Sequence, residues 1–140
     1  MNVLTFTTEI AELHAFFEDW FVGRLPNDHS TFARFADAMG EGFEIVSPAG
    51  TAMGRDDLLA LLRSAHGSSA EGALRIWTDN VSVRSLGDGL TLARYEEWQE
   101  SDGETKGRLS SAVLRAHSSA PGGFLWLSVH ETWLPSSSAK

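Results

Sequence analysis

The chain has 140 residues, 42% of them hydrophobic and 21% charged, the balance of a domain that builds its own core. Its 19 acidic and 11 basic residues give a net charge of −8, which argues against a nucleic-acid or anionic-membrane surface, and with no cysteine it has no disulfide, thiol chemistry or cysteine-based zinc site. The longest apolar run, Leu58 to Leu62, falls far short of the ~20 residues of a membrane helix, and Met1 to Thr5 lacks the basic start of a signal peptide; both point to a cytoplasmic protein.

The first helix is predicted from Thr7 or Thr8, where a hydroxyl can accept from orphan amides. Ile10, Leu13, Phe17 and Phe21 form its apolar face, and Gly23 and Pro26 end it. A shorter helix follows Ser30, with Phe32, Phe35 and Met39 as its stripe and Gly40 and Gly42 as its stop. Phe43 to Ser47 reads as a short strand, and Pro48-Ala49-Gly50 as a turn. A third helix spans about Arg55 to His66, with Asp56 and Asp57 at its positive end. From Leu74 the period changes to two, giving strands at about 74–86, 90–100, 108–117 and 124–134. Their short connections imply an antiparallel meander. The expected architecture is α+β: one domain over residues 1–140, ordered from about 7 to 134, with three N-terminal helices packed on a curved antiparallel sheet.

Motif chemistry is sparse. His130-Glu131-Thr132-Trp133-Leu134 starts like a zinc-protease motif but lacks the second histidine and lies in a strand. Gly67-Ser68-Ser69-Ala70-Glu71 lacks the closing glycine of a nucleophile elbow, and Gly87-Asp88-Gly89 is a hairpin turn. His14, His29, His66, His117 and His130 show no ligand spacing and read as surface or half-buried structural residues. No metal site and no cofactor are expected.

The strands carry more information. The last strand places Leu125, Leu127, Val129, Glu131 and Trp133 on one face, and Phe124, Trp126, Ser128, His130 and Thr132 on the other. Glu131 therefore follows three aliphatic residues, as either half of a structural ion pair or part of a site. In the strand from Leu90, one face holds Leu92, Arg94, Glu96 and Trp98, and the other Thr91, Ala93, Tyr95, Glu97 and Gln99. Neither face is purely apolar. Trp77, Trp98 and Trp133 can serve as core, as pocket walls, or as both.

This order of elements resembles the nuclear transport factor 2-like superfamily, in its SnoaL-like and uncharacterised branch. The resemblance runs from Ile10 to Leu134. It is carried by Phe35-Ala36-Asp37-Ala38-Met39, Ser47-Pro48-Ala49-Gly50, Gly54 before the Leu-rich helix, Ser111-Ala112-Val113-Leu114-Arg115 and Val129-His130-Glu131-Thr132-Trp133. It implies a cystatin-like cone with a pocket inside. Ketosteroid isomerases of this superfamily use an aspartate base, a helix tyrosine and a protonated aspartate. By position these fall at Ser47, at Phe16 or Phe17, and at Ala112, none of which can do the work. The resemblance places Val129, Glu131 and Trp133 on the pocket side, and the same register adds Arg94, Glu96 and Trp98, with Trp77 as a further wall.

Two functions remain open. One is a small-ligand-binding or association module whose cone holds a small organic molecule or a packed core. The alternative is an isomerase, dehydratase or hydrolase in which Glu131 or Glu96 transfers protons and Arg94 holds an oxygen. An open cavity around Glu131 favours the enzyme, and a closed Arg–Glu pair the module. A homodimer is expected through the outer sheet face, formed by Tyr95, Val113, Phe124 and Trp126; neither nucleic acid nor membrane is an expected partner.

Overall fold

The computed structural model describes residues 2–135. Helix α1, Val3–Phe21, begins earlier than predicted because Asn2 caps it, its side chain accepting from the Leu4 amide at 2.9 Å. Helix α2, His29–Ala36, is capped by Asp28, which accepts from the Thr31 amide at 2.8 Å. Strand β1, Met39–Val46, starts where the helical stripe was expected to end, and the three-residue β2, Ala52–Gly54, returns antiparallel to it across the predicted turn. Helix α3 covers Arg55–Ser64. Its first residue reaches back, and the Arg55 guanidinium donates to the carbonyls of Met39 and Ala36, both at 3.0 Å, closing the end of α2.

Strands β3 (Leu74–Gly87), β4 (Leu90–Ser101), β5 (Glu104–Ala116) and β6 (Phe124–Trp133) form the expected meander. β5 begins four residues before the predicted start because Asp102-Gly103, both at positive φ, make a two-residue hairpin turn. The sheet order is β2-β1-β6-β5-β4-β3, and β1 runs parallel to β6. That one parallel pair makes the sheet mixed rather than wholly antiparallel. It arises because the helices bring the chain back to the far edge of the meander.

The helices pack on one face of this sheet. Ile10, Leu13, Phe16 and Trp20 of α1 meet Phe32 and Phe35 of α2 and Ala93, Tyr95, Ala112, Leu114 and Trp126 of the strands in one buried cluster. The Trp20 indole donates to the Leu62 carbonyl at 2.8 Å, which fastens α3 to α1.

Strand β6 does not alternate simply. Val113 pairs with Ser128 while Leu114 pairs with Trp126, so Leu127 is an extra residue, a β-bulge. Phe124 and Trp126 face inward before it, and Val129 and Glu131 face inward after it. The expectation that Phe124 and Trp126 lie outside is thereby corrected: they are 8% and 1% exposed.

A buried charge sits beside Trp126. Glu9, 2% exposed, accepts from Arg34 at 2.7 Å and from the Trp126 indole at 3.0 Å. Gly122 packs on the same carboxylate, where a Cβ would stand 1.8 Å from an oxygen. Replacing Glu9 by alanine strands the guanidinium and the indole N–H, and breaking such a pair costs about 3–5 kcal/mol. Urea denaturation of Glu9→Ala is expected to show that loss, and Gly122→Ala, which pushes the carboxylate from its place, a loss of the same sign.

Candidate functional site

Between α1, α3 and the sheet lies a cavity of about 170 Å³. Leu13, Phe17, Phe21, Phe35, Met39, Phe43, Ile45, Leu58, Leu62, Ile76, Trp126 and Val129 make its apolar wall. Its polar side is built from His14 of α1, Tyr95, Glu97 and Gln99 of β4, Arg108 of β5 and Glu131 of β6. The cross-strand register brings the last three strands together, since Ser110 pairs with both Tyr95 and Glu131.

His14 has both ring nitrogens engaged. Nδ1 is 2.8 Å from the Ile10 carbonyl oxygen, and Nε2 is 3.3 Å from Glu97 Oε1. An imidazole whose Nδ1–H is given to a carbonyl faces a carboxylate favourably only if Nε2 also carries a proton. Burial is the largest influence and works against that charge, but the Glu97 carboxylate, the Ile10 carbonyl and Glu131 together outweigh it and raise the histidine above its ordinary value. Burial also pushes Glu97 up, yet the His14 charge, with help from Arg108 and the Gln99 amide at 2.7 Å, holds it down at about 2.

Glu131 is 5% exposed and accepts from Arg108 Nη1 at 2.9 Å. Burial and the like charge of Glu97 raise its proton affinity, and Arg108 only partly opposes them. Burial, and after it the two carboxylates, hold the Tyr95 phenol well above its usual range. The polar side thus combines a fixed His–Glu ion pair with a second carboxyl that takes a proton more readily than an ordinary glutamate.

A groove lined by Ser101, Asp102, Glu104, Lys106 and Trp133 shares Gln99 and Arg108 with the cavity. Trp133 is 48% exposed there, with Lys106 Nζ 5.7 Å and Arg108 Cζ 5.1 Å from its ring centre. Among the described residues, no group of three or more His, Asp or Glu side chains is placed to hold a metal ion.

Of the residues singled out in the sequence, Val129 and Glu131 line the cavity, and Trp133 stands at its groove. Arg94, Glu96 and Trp98 are corrected to the outer face of the sheet. Arg94 donates to Ser111 at 3.1 Å, and Glu96 accepts from the Trp98 indole at 3.1 Å. Trp77 pairs with Trp98 on that outer face, and its neighbour Ile76 points into the cavity. Tyr95, expected outside, is 1% exposed in the core. β4 misleads because its inner face carries the polar side of a cavity and so is no more apolar than its outer one. Of the four residues assigned to the outer surface, only Val113 faces that way, on the register that pairs it with Leu92.

Five polar cavity residues, His14, Tyr95, Glu97, Gln99 and Arg108, were not read from the sequence as pocket residues. His14 did leave a signal: it sits four residues after Ile10 and three before Phe17, on the apolar stripe of α1.

The pair has a pH window. His14, raised on folding, stabilises fully below an unfolded value near 6.5 and loses that contribution as pH rises through its folded value. Glu97, lowered to about 2, contributes above its ordinary 4.5 and loses that as pH falls. Glu131, raised, works in the same direction as His14. The urea midpoint is therefore expected to fall between pH 5.5 and pH 8.5, and to fall less in Glu97→Gln, which removes the cause of the His14 shift and a cause of the Glu131 shift.

The chain is similar to known proteins in sequence and in fold. A family model described as sucrose-6-phosphate phosphohydrolase C-terminal matches residues 6–135. Sucrose-phosphatase 1 of Nicotiana tabacum is 25% identical over 132 residues, covering 94% of this chain but 31% of that protein. The chain thus spans about a third of the length of the curated relative. Among solved structures, an NTF2-like protein of unknown function from Pseudomonas aeruginosa is 26% identical with a TM-score of 0.80, over 94% of this chain and 99% of that one. A domain of unknown function with a cystatin-like fold from Nostoc punctiforme shares the fold, with a TM-score of 0.60 at 18% identity over 89% of this chain and 76% of that one. These likenesses bear out the nuclear transport factor 2-like fold. Because the family match runs over residues 6–135, nearly the whole chain, the chain belongs to the sucrose-6-phosphate phosphohydrolase C-terminal family.

Proposed function

We propose that this domain is a small-ligand-binding and association module. The observation that carries the reading is an apolar cavity whose charges answer one another internally: His14 with Glu97, and Arg108 with Glu131. Apolar walls with a few converging polar groups are the usual construction of a small-molecule site. The phosphatase activity in the name of Sucrose-phosphatase 1 is said of a longer protein, of which this chain matches 31%. The cavity favours no such role here, since a doubly charged phosphate would meet Glu97 and Glu131 with one guanidinium to answer it.

A second reading is supported by Glu131 alone. A carboxyl raised by burial and by a neighbouring carboxylate is the kind of group that general acid–base catalysis uses. Its ion pair with Arg108 and the committed partners of His14 favour binding over turnover.

The ligand reading is tested with 1-hexanol, a neutral apolar probe. Saturation-transfer NMR is expected to detect binding to the wild type and none to Val129→Phe, which puts a ring into the cavity. A folded wild type that shows no transfer overturns the reading.

The association reading rests on the outer face. Trp77, Leu92, Trp98, Leu109 and Val113 share the side of the sheet opposite the helices, and all are partly exposed. Arg94 and Glu96 lie among them, and closed two-fold pairing is the common way to bury such a face. Trp98 lies flat on Gly107, where a Cβ would come within 2.6 Å of its ring. Sedimentation at micromolar concentration is expected to give twice the 15.3 kDa chain mass, falling to one copy in Trp98→Glu. A wild-type monomer there rules the pairing out.

A further inference from the structure

One cation of the cavity is only partly engaged. His14 is enclosed between the Ile10 carbonyl and Glu97. Arg108 gives Nη1 to Glu131, its side chain is 24% exposed, and it lines both the cavity and the groove beside Trp133. It therefore stands in the wall that the cavity and the groove share.

We infer that the cavity takes a small apolar monocarboxylic acid, its hydrocarbon part against Phe17, Phe35, Phe43, Ile45 and Val129 and its carboxylate on Arg108 beside Glu131, with one proton taken up on binding. The inference rests on the reading of the cavity as a ligand site. A guanidinium presents several N–H groups in one plane and suits a carboxylate held by two prongs. A cationic ligand would meet Arg108 and the imidazolium of His14. A phosphate would bring up to two charges beside Glu97 and Glu131, with one guanidinium to answer them. A single carboxylate on an apolar body fits both wall and cation.

The proton follows from the charge arrangement. Facing Glu131 are His14 from α1, Tyr95 and Glu97 from β4 and Arg108 from β5. His14 and Glu97 cancel each other, which leaves two carboxylates, one from the ligand and one from Glu131, on a single guanidinium. Two such groups in a buried site do not both stay ionised. The anionic ligand, one proton from solvent and the Glu131 carboxylate give a complex in which one proton is shared between the two carboxyl groups. No covalent bond to carbon forms or breaks.

Isothermal titration with hexanoate and with 1-hexanol, from pH 6 to pH 8 in two buffers of different ionisation enthalpy, tests this. Hexanoate is expected to take up close to one proton, its affinity falling up to tenfold per pH unit, while 1-hexanol shows neither effect. Glu131→Gln, whose amide can donate to the ligand carboxylate, is expected to bind hexanoate without proton uptake. Arg108→Gln is expected to lose at least tenfold more for hexanoate than for 1-hexanol. The wild-type proton count stands whether or not either variant folds. Hexanoate binding with no proton uptake, or uptake that persists in Glu131→Gln, overturns the inference. Binding of 1-hexanol without hexanoate also overturns it and leaves the cavity reading intact, whereas binding of neither probe removes both.

Discussion

A helix laid against the inner face of a sheet must have its polar side chains answered by that sheet, and α1 brings two of them, Glu9 and His14, on its buried stripe. Solvent reaches neither. The strands supply the Trp126 indole for the first and the Glu97 carboxylate for the second, and α2 supplies Arg34. These contacts are directional, whereas the surrounding aromatic packing is not. They fix how far α1 can slide or turn over the sheet. The cavity is what the apolar side chains leave open between those two anchor points and α3.

The same contacts separate the two faces of the sheet chemically. Inside, ionised groups are matched within hydrogen-bonding distance in surroundings that penalise any unmatched charge. Outside, Arg94 and Glu96 lie among half-covered tryptophans and aliphatic side chains, where water can still screen them. One strand, β4, serves both environments with alternate residues.

That double service limits what the sequence discloses. The helices, the meander and the superfamily were legible, because apolar spacing and turn residues are local signals. Alternation from Leu125 and Leu127 places Val129 and Glu131 inside, and they are buried. The bulge, however, sets Leu125 on the other face and leaves Leu127 surplus, so the outcome is right through a register the strand does not keep. The orientation of β4 was not, since Tyr95-Glu97-Gln99 and Arg94-Glu96-Trp98 are equally mixed and only tertiary partners separate them. Arg108 stayed hidden at the start of a strand whose first residues were read as loop. The placing of Phe124 and Trp126 failed for another reason: a bulge carries no strong signature when the added residue is a leucine among leucines.

That bulge has an evolutionary consequence. Because Leu127 is the surplus residue, losing it would restore plain alternation with Phe124, Trp126, Val129 and Glu131 all still turned toward the interior. A three-nucleotide deletion at this point would thus leave the lining of the chamber and the strand order unchanged. Relatives that differ in length by this one residue can be expected to keep the same chamber.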